Sequence, residues 1–181
     1  MRNPQLLTLV TLTVALSATL ALSGCGEANE REAETPASPA LPATLFLADA
    51  PAGEPQDIAV LAAEAVDGQE VVLQGRIGGR REPFVANRAV MVLTDVNAVT
   101  CHAAGDVGCS TPWDYCCVPR EQLQGKVASV QVVDETGQPL RTSLQAGGLE
   151  PLTQVIVQGV ARREAGGDAL IIDATNIYVE R

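Results

Sequence analysis

The chain has 181 residues and a formal charge of -10, from 22 acidic and 12 basic side chains. That balance weighs against binding to a nucleic-acid backbone, which needs clustered Lys and Arg to release counterions. It equally weighs against charge-driven adhesion to anionic lipid headgroups.

Leu6 to Leu22 carries no ionised side chain. This run is short for a bilayer-spanning helix, which needs about 20 residues, and fits the apolar core of a secretory signal. It ends in Leu22-Ser23-Gly24-Cys25, which resembles the lipobox of bacterial lipoproteins. The resemblance implies a signal peptide over residues 1–24, removed on export. Cys25 would then become the first mature residue, acylated with chains such as palmitate on sulfur and nitrogen. Two or three chains, at about 0.8 kcal/mol per buried methylene, would hold a folded domain at a membrane. The implied address is the cell envelope, at the outer membrane or the periplasmic face of the inner one.

Residues 25–56 read as an acidic Ala/Pro-rich tether, too poor in apolar surface to offset chain entropy. Leu45-Phe46-Leu47 inside it is either a docking point on the domain or a sticky spot in the tether. Residues 57–181 read as one domain, long enough to bury a sizeable core.

Asp57 to Val66 predicts a short helix with Ile58, Leu61, Ala62 and Ala65 on one face, capped by Asp57 and ended by Gly68. Strands are predicted at Glu70–Ile77, Ala89–Asp95, Lys126–Val133, Thr153–Ala161 and Ala169–Val179. Turns are predicted at Gly78-Gly79, at Asp134 to Gly137 and at Gly166-Gly167-Asp168. Gly75 and Gly159 inside their strands predict bulges or sharp coiling of the sheet.

Five strands with such glycines suggest a small closed barrel, which removes open sheet edges; an antiparallel sandwich is the alternative. Val71 to Ile77, reading Val-x-x-x-Gly-Arg-Ile, and Val157 to Val160, reading Val-x-Gly-Val, resemble an OB-fold. The expected class is therefore mainly β: a five-stranded, OB-like, partly closed barrel with a short N-terminal helix and a Cys-rich loop over residues 100–119. One departure is visible. The OB helix between the third and fourth strands has no counterpart, since Asp134 to Leu152 reads as a hairpin and loop. The chain also resembles OB-like lipoproteins carrying a Thr-Pro-Trp-Asp-Tyr-Cys-Cys signature, here Thr111 to Cys117. That likeness implies a fold and an address but no activity, and a fold alone does not imply nucleic-acid binding.

The loop holds Cys101, Cys109, Cys116 and Cys117, the single histidine His102 and the single tryptophan Trp113. Two mechanisms stay open for the cysteines. In an oxidising compartment four exported cysteines predict two disulfides. A bridge between neighbours Cys116 and Cys117 would strain an eight-membered ring. One of that pair is therefore expected to reach Cys101 and the other Cys109. Alternatively the four thiolates, or His102 in place of one, hold zinc or copper; otherwise no cofactor is expected. Trp113 and Tyr115 either pack the loop on the barrel end or form an amphipathic recognition patch. Arg76, Arg80 and Arg81, around the first hairpin, either receive an anion or are simply solvated. No Ser-His-Asp set and no phosphate-cradling glycine loop are found. The expected function is a non-enzymatic binding or structural module, its partner an envelope protein or a small ligand. A periplasmic metal-binding or thiol-redox protein is the alternative.

Overall fold

The alternating pattern of the sequence becomes a sheet that closes on itself. The computed structural model describes residues 40–163 and 169–180. The signal segment 1–24, Cys25, the tether up to residue 39 and the turn at Gly166-Gly167-Asp168 lie outside the described residues.

In chain order the elements are β1 (Phe46–Leu47), β2 (Gln56–Asp57), α1 (Ile58–Glu64), β3 (Glu70–Ile77), β4 (Val90–Thr94), α2 (Arg120–Leu123), β5 (Val127–Gln131), β6 (Gln154–Arg163) and β7 (Leu170–Val179). Single 3-10 turns occupy Pro112–Asp114 and Leu144–Gly147. β3 pairs antiparallel with β4, β4 with β5, β6 with β3 and β7 with β6, while β5 and β7 run parallel. The circuit β3–β4–β5–β7–β6 and back to β3 is closed, which gives a five-stranded mixed barrel of the OB-like type. Closure excludes the sandwich.

The inward side chains follow the pleat. Val71, Leu73, Gly75 and Ile77 of β3 are buried in alternation. In β7 the buried set runs Leu170, Ile172, Ala174 and then Ile177. The phase slips because the β6–β7 register shifts between Gln158 and Gly159, leaving Thr175 as the extra residue of a bulge. Such a bulge bends the strand and increases its twist. Only glycine fits beside it: a Cβ on Gly159 would lie 2.9 Å from Ile172 Cγ2 and closer still to the Asp173 carbonyl.

Ahead of the barrel, α1 sends Ile58 and Leu61 into the core. Gly75 makes room for it, since a Cβ there would stand 3.1 Å from both Ile58 Cδ1 and Leu93 Cβ. The helix is capped differently from expectation. The Asp57 side chain makes no cap hydrogen bond; it accepts instead from Gln74 at 2.7 Å and from Asn97 at 3.0 Å. The Ala59 N–H donates to the buried Asp95 carboxylate at 3.0 Å, from beyond the end of β4. At the other end the Arg163 guanidinium donates to the carbonyls of Leu61, Ala62 and Ala65, the favourable place for a cation.

The tether expected up to residue 56 ends earlier. Leu45 is buried in the core, β1 pairs parallel with Ile177–Tyr178 of β7, and β2 pairs with Leu73–Gln74 of β3. The cause lies in unequal strand lengths. β5 pairs only with the first part of β7, and β4 only with the end of β3. Each long strand therefore has backbone groups to satisfy beyond its partner, and the incoming chain satisfies them. Between β5 and β6 the chain makes a bridge from Val133 to Pro139 and the 3-10 turn at Leu144–Gly147, with no α-helix among these residues.

Candidate functional site: the cysteine cassette at the barrel rim

The cassette connects β4 to β5, and its second half is seated on the turn that ends β3. The 3-10 turn at Pro112–Asp114 points the Trp113 carbonyl at the Gly79 N–H, 2.7 Å away. The Trp113 indole N–H donates to the Arg81 carbonyl at 3.0 Å. Gly78 is where the two chains touch: a Cβ on it would lie 2.6 Å from the Trp113 carbonyl oxygen and 3.1 Å from the Tyr115 ring. Gly79, at φ +92°, turns the backbone as a side-chain-bearing residue rarely does.

Tyr115 is the plug. It takes a left-handed conformation at φ 56° and is 1% exposed. Its hydroxyl pairs with the Thr94 hydroxyl at 2.9 Å, and Thr94 in turn bonds the Arg76 carbonyl at 3.2 Å. A buried tyrosine with a satisfied hydroxyl packs the loop on the barrel end, which is the first of the two readings of Tyr115. Trp113 keeps a half-exposed face.

The left-handed turn at Tyr115 brings Asp114 and the Cys116-Cys117 pair back onto the first half of the loop. Cys117 bridges the buried Cys101, 16 residues upstream. The expected second bridge is not formed: among the described residues Cys109 and Cys116 are free thiols. The Sγ atoms of Cys101, Cys109 and Cys116 and a carboxylate oxygen of Asp114 all lie within 4.8 Å of one another. His102 stands outside this group, its Nε2 against the Cys109 carbonyl at 3.2 Å.

Asp114 was not foreseen as a member. Its carboxylate accepts from the Cys116 N–H at 2.8 Å and from the Thr111 hydroxyl at 3.0 Å. Desolvation works against its charge, but the Cys116 amide and thiol, the Thr111 hydroxyl and the Arg81 charge outweigh it. The carboxyl therefore titrates below its ordinary value. The same contact acts oppositely on the thiol. The hydrogen bond to Asp114, then desolvation and the Asp114 and Cys109 charges, push Cys116 up to about 11.

The arginines expected as one group are divided. Arg81 lines an open groove of about 450 Å³ with Glu82, Pro83, Phe84, Ala86, Trp113, Gln145 and Pro151. Arg76 lines a different groove with Val96 to Thr100, and its guanidinium reaches the Ala98 carbonyl at 3.4 Å. Arg80 is exposed and lines neither. The Trp113 groove was invisible in the sequence because its walls come from three separated stretches. No helix among the described residues is long and apolar enough to cross a membrane. No protein-family model, no curated protein and no solved structure matches the chain.

Proposed function

We propose that this chain is a lipid-anchored binding or structural module of the cell envelope, tethered through acylated Cys25 and acting without catalysis. The barrel is the rigid support, and the seated cassette forms the contact surface for an envelope protein or a small ligand. The observation that carries this reading is the Trp113 groove. Its aromatic wall is held by the indole hydrogen bond to Arg81, and Phe84 and Pro151 supply further apolar surface. Arg81 and Glu82 place charge at the same groove. A few fixed polar groups around apolar walls are what small-ligand and side-chain pockets share.

Site-specific photo-cross-linking of the lipidated full chain tests this. A photoreactive residue at Ala86, which is exposed in the groove, is compared with one at Glu135, in the exposed turn after β5. The reading predicts a discrete adduct at position 86 alone, reduced by Trp113→Ala. It also predicts that a Cys25→Ala chain freed of its signal segment leaves the membrane. Equal labelling at both positions contradicts the binding surface, and a processed, unlipidated Cys25→Ala chain that stays membrane-bound contradicts the anchor.

A further inference from the structure

We propose that Cys109, Cys116 and Asp114 form a binding site for a borderline divalent cation of the zinc class, with the Cys101–Cys117 bridge as its frame. Nothing in this inference depends on what the Trp113 groove binds.

The donor atoms are already gathered. Around a tetrahedral zinc, with Zn–S near 2.3 Å and Zn–O near 2.1 Å, neighbouring sulfurs sit about 3.8 Å apart and sulfur and oxygen about 3.6 Å apart. The cluster members lie within 4.8 Å of one another, so closure onto an ion needs side-chain shifts on the order of 1 Å. Cys101 shares the cluster but spends its sulfur in the bridge to Cys117. Two thiols and one carboxylate remain.

That set selects the ion. Calcium and magnesium take six or more oxygen donors. Copper(I) is satisfied by thiolates and gains little from a carboxylate. Two sulfurs with one oxygen suit zinc, and cobalt(II) as its spectroscopic stand-in. Three protein ligands leave a fourth position, and Cys116 is exposed, so that position faces solvent and takes water or a donor from a partner.

The frame explains why the donors converge. The bridge fixes the two ends of the loop, and the left-handed Tyr115 turns Asp114 toward the thiols. Asp114 is oriented by the Thr111 hydroxyl and the Cys116 amide. Such second contacts commonly hold a metal-binding carboxylate in place. On binding, each thiol loses its proton to solvent: one divalent cation, two thiols and one carboxylate give a complex of net charge -1 and two released protons.

The test is a cobalt(II) titration of the full lipidated chain in detergent, anaerobic and without reductant, so the bridge stays intact. The site predicts one cobalt per chain, a thiolate-to-cobalt charge-transfer band in the near ultraviolet, and displacement of that band by zinc. Cys109→Ser and Cys116→Ser should remove most of the band, and Asp114→Asn should weaken affinity about tenfold or more. In the wild-type chain, zinc should protect both Cys109 and Cys116 from alkylation, a result that requires no variant to fold. The proposal is overturned by absence of the band, by a band unchanged in Cys116→Ser, or by a native chain two protons lighter whose Cys109 and Cys116 are bridged and bind no metal.

Discussion

Gly78→Ala is the sharpest probe of how the cassette is seated. The new Cβ would stand 2.6 Å from the Trp113 carbonyl oxygen and 3.1 Å from the Tyr115 ring. A relaxed carbon–oxygen contact is about 3.3 Å or longer, so the cassette must retreat by about 0.7 Å. Retreat stretches the Gly79 N–H bond to that same carbonyl from 2.7 Å, a loss of about 1 kcal/mol. Crowding of a packed contact adds about 1–3 kcal/mol. The sum is about 2–4 kcal/mol, a large part of a small domain's stability of about 5–15 kcal/mol. Left-handed strain plays no part, because Gly78 is not at positive φ. Urea unfolding followed by emission of Trp113, the single tryptophan, measures the loss. Limited proteolysis within the exposed stretch 102–108 should accelerate as the cassette lifts. Gly108→Ala is the control: its Cβ meets only Asp106 Oδ1, at 3.8 Å, and it should change stability by less than about 0.5 kcal/mol. Equal midpoints for Gly78→Ala and wild type, or equal losses in the two variants, would refute the seating described above.

Three further outcomes are expected. Breaking the bridge by Cys101→Ser, in a background carrying Cys109→Ser and Cys116→Ser so that no other thiol pairs with Cys117, should cost about 3 kcal/mol in chemical denaturation, as expected for a closed loop of this length. Arg163→Ala removes the donor to three carbonyls at the end of α1 and should lower stability by about 1.5–3 kcal/mol; protection of the α1 amides from hydrogen exchange should fall with it. Cys116, raised to about 11 mainly by its hydrogen bond to Asp114, stays a neutral thiol well above the pH at which an ordinary cysteine ionises. With chelator present its alkylation rate should therefore still be climbing above pH 9, and Asp114→Asn should move the profile to lower pH.

Most of the barrel was legible because its strands alternate. β3 occupies the predicted Glu70–Ile77, and the other four begin and end within a few residues of expectation. Gly159 lies at a bulge as expected, whereas β3 pairs with β6 through Gly75 without a shift, and that glycine instead makes room for Ile58 and Leu93. What local pattern could not reveal came from distant partners. Asp95 caps α1 from 36 residues away, so Asp57, the nearer acid, looked like the cap. β1 and β2 are two residues each and have no periodicity of their own; they exist because β7 and β3 outrun their neighbours. In the cassette, the strain of joining adjacent cysteines correctly sent one of them back to Cys101. The second bridge was expected from an even count, and no count reveals that Asp114 stands beside Cys116. The nearest signal was the spacing itself, since an acid two residues before a backbone N–H is placed to accept from it.

Peptide mapping of the full chain, alkylated under native conditions with chelator and without reductant, bears most directly on the seated cassette. The structure predicts a single crosslinked pair, Cys101 with Cys117, and alkyl groups on Cys109 and Cys116. A Cys101–Cys109 or Cys116–Cys117 crosslink, or four alkylated thiols in the loop, would contradict it.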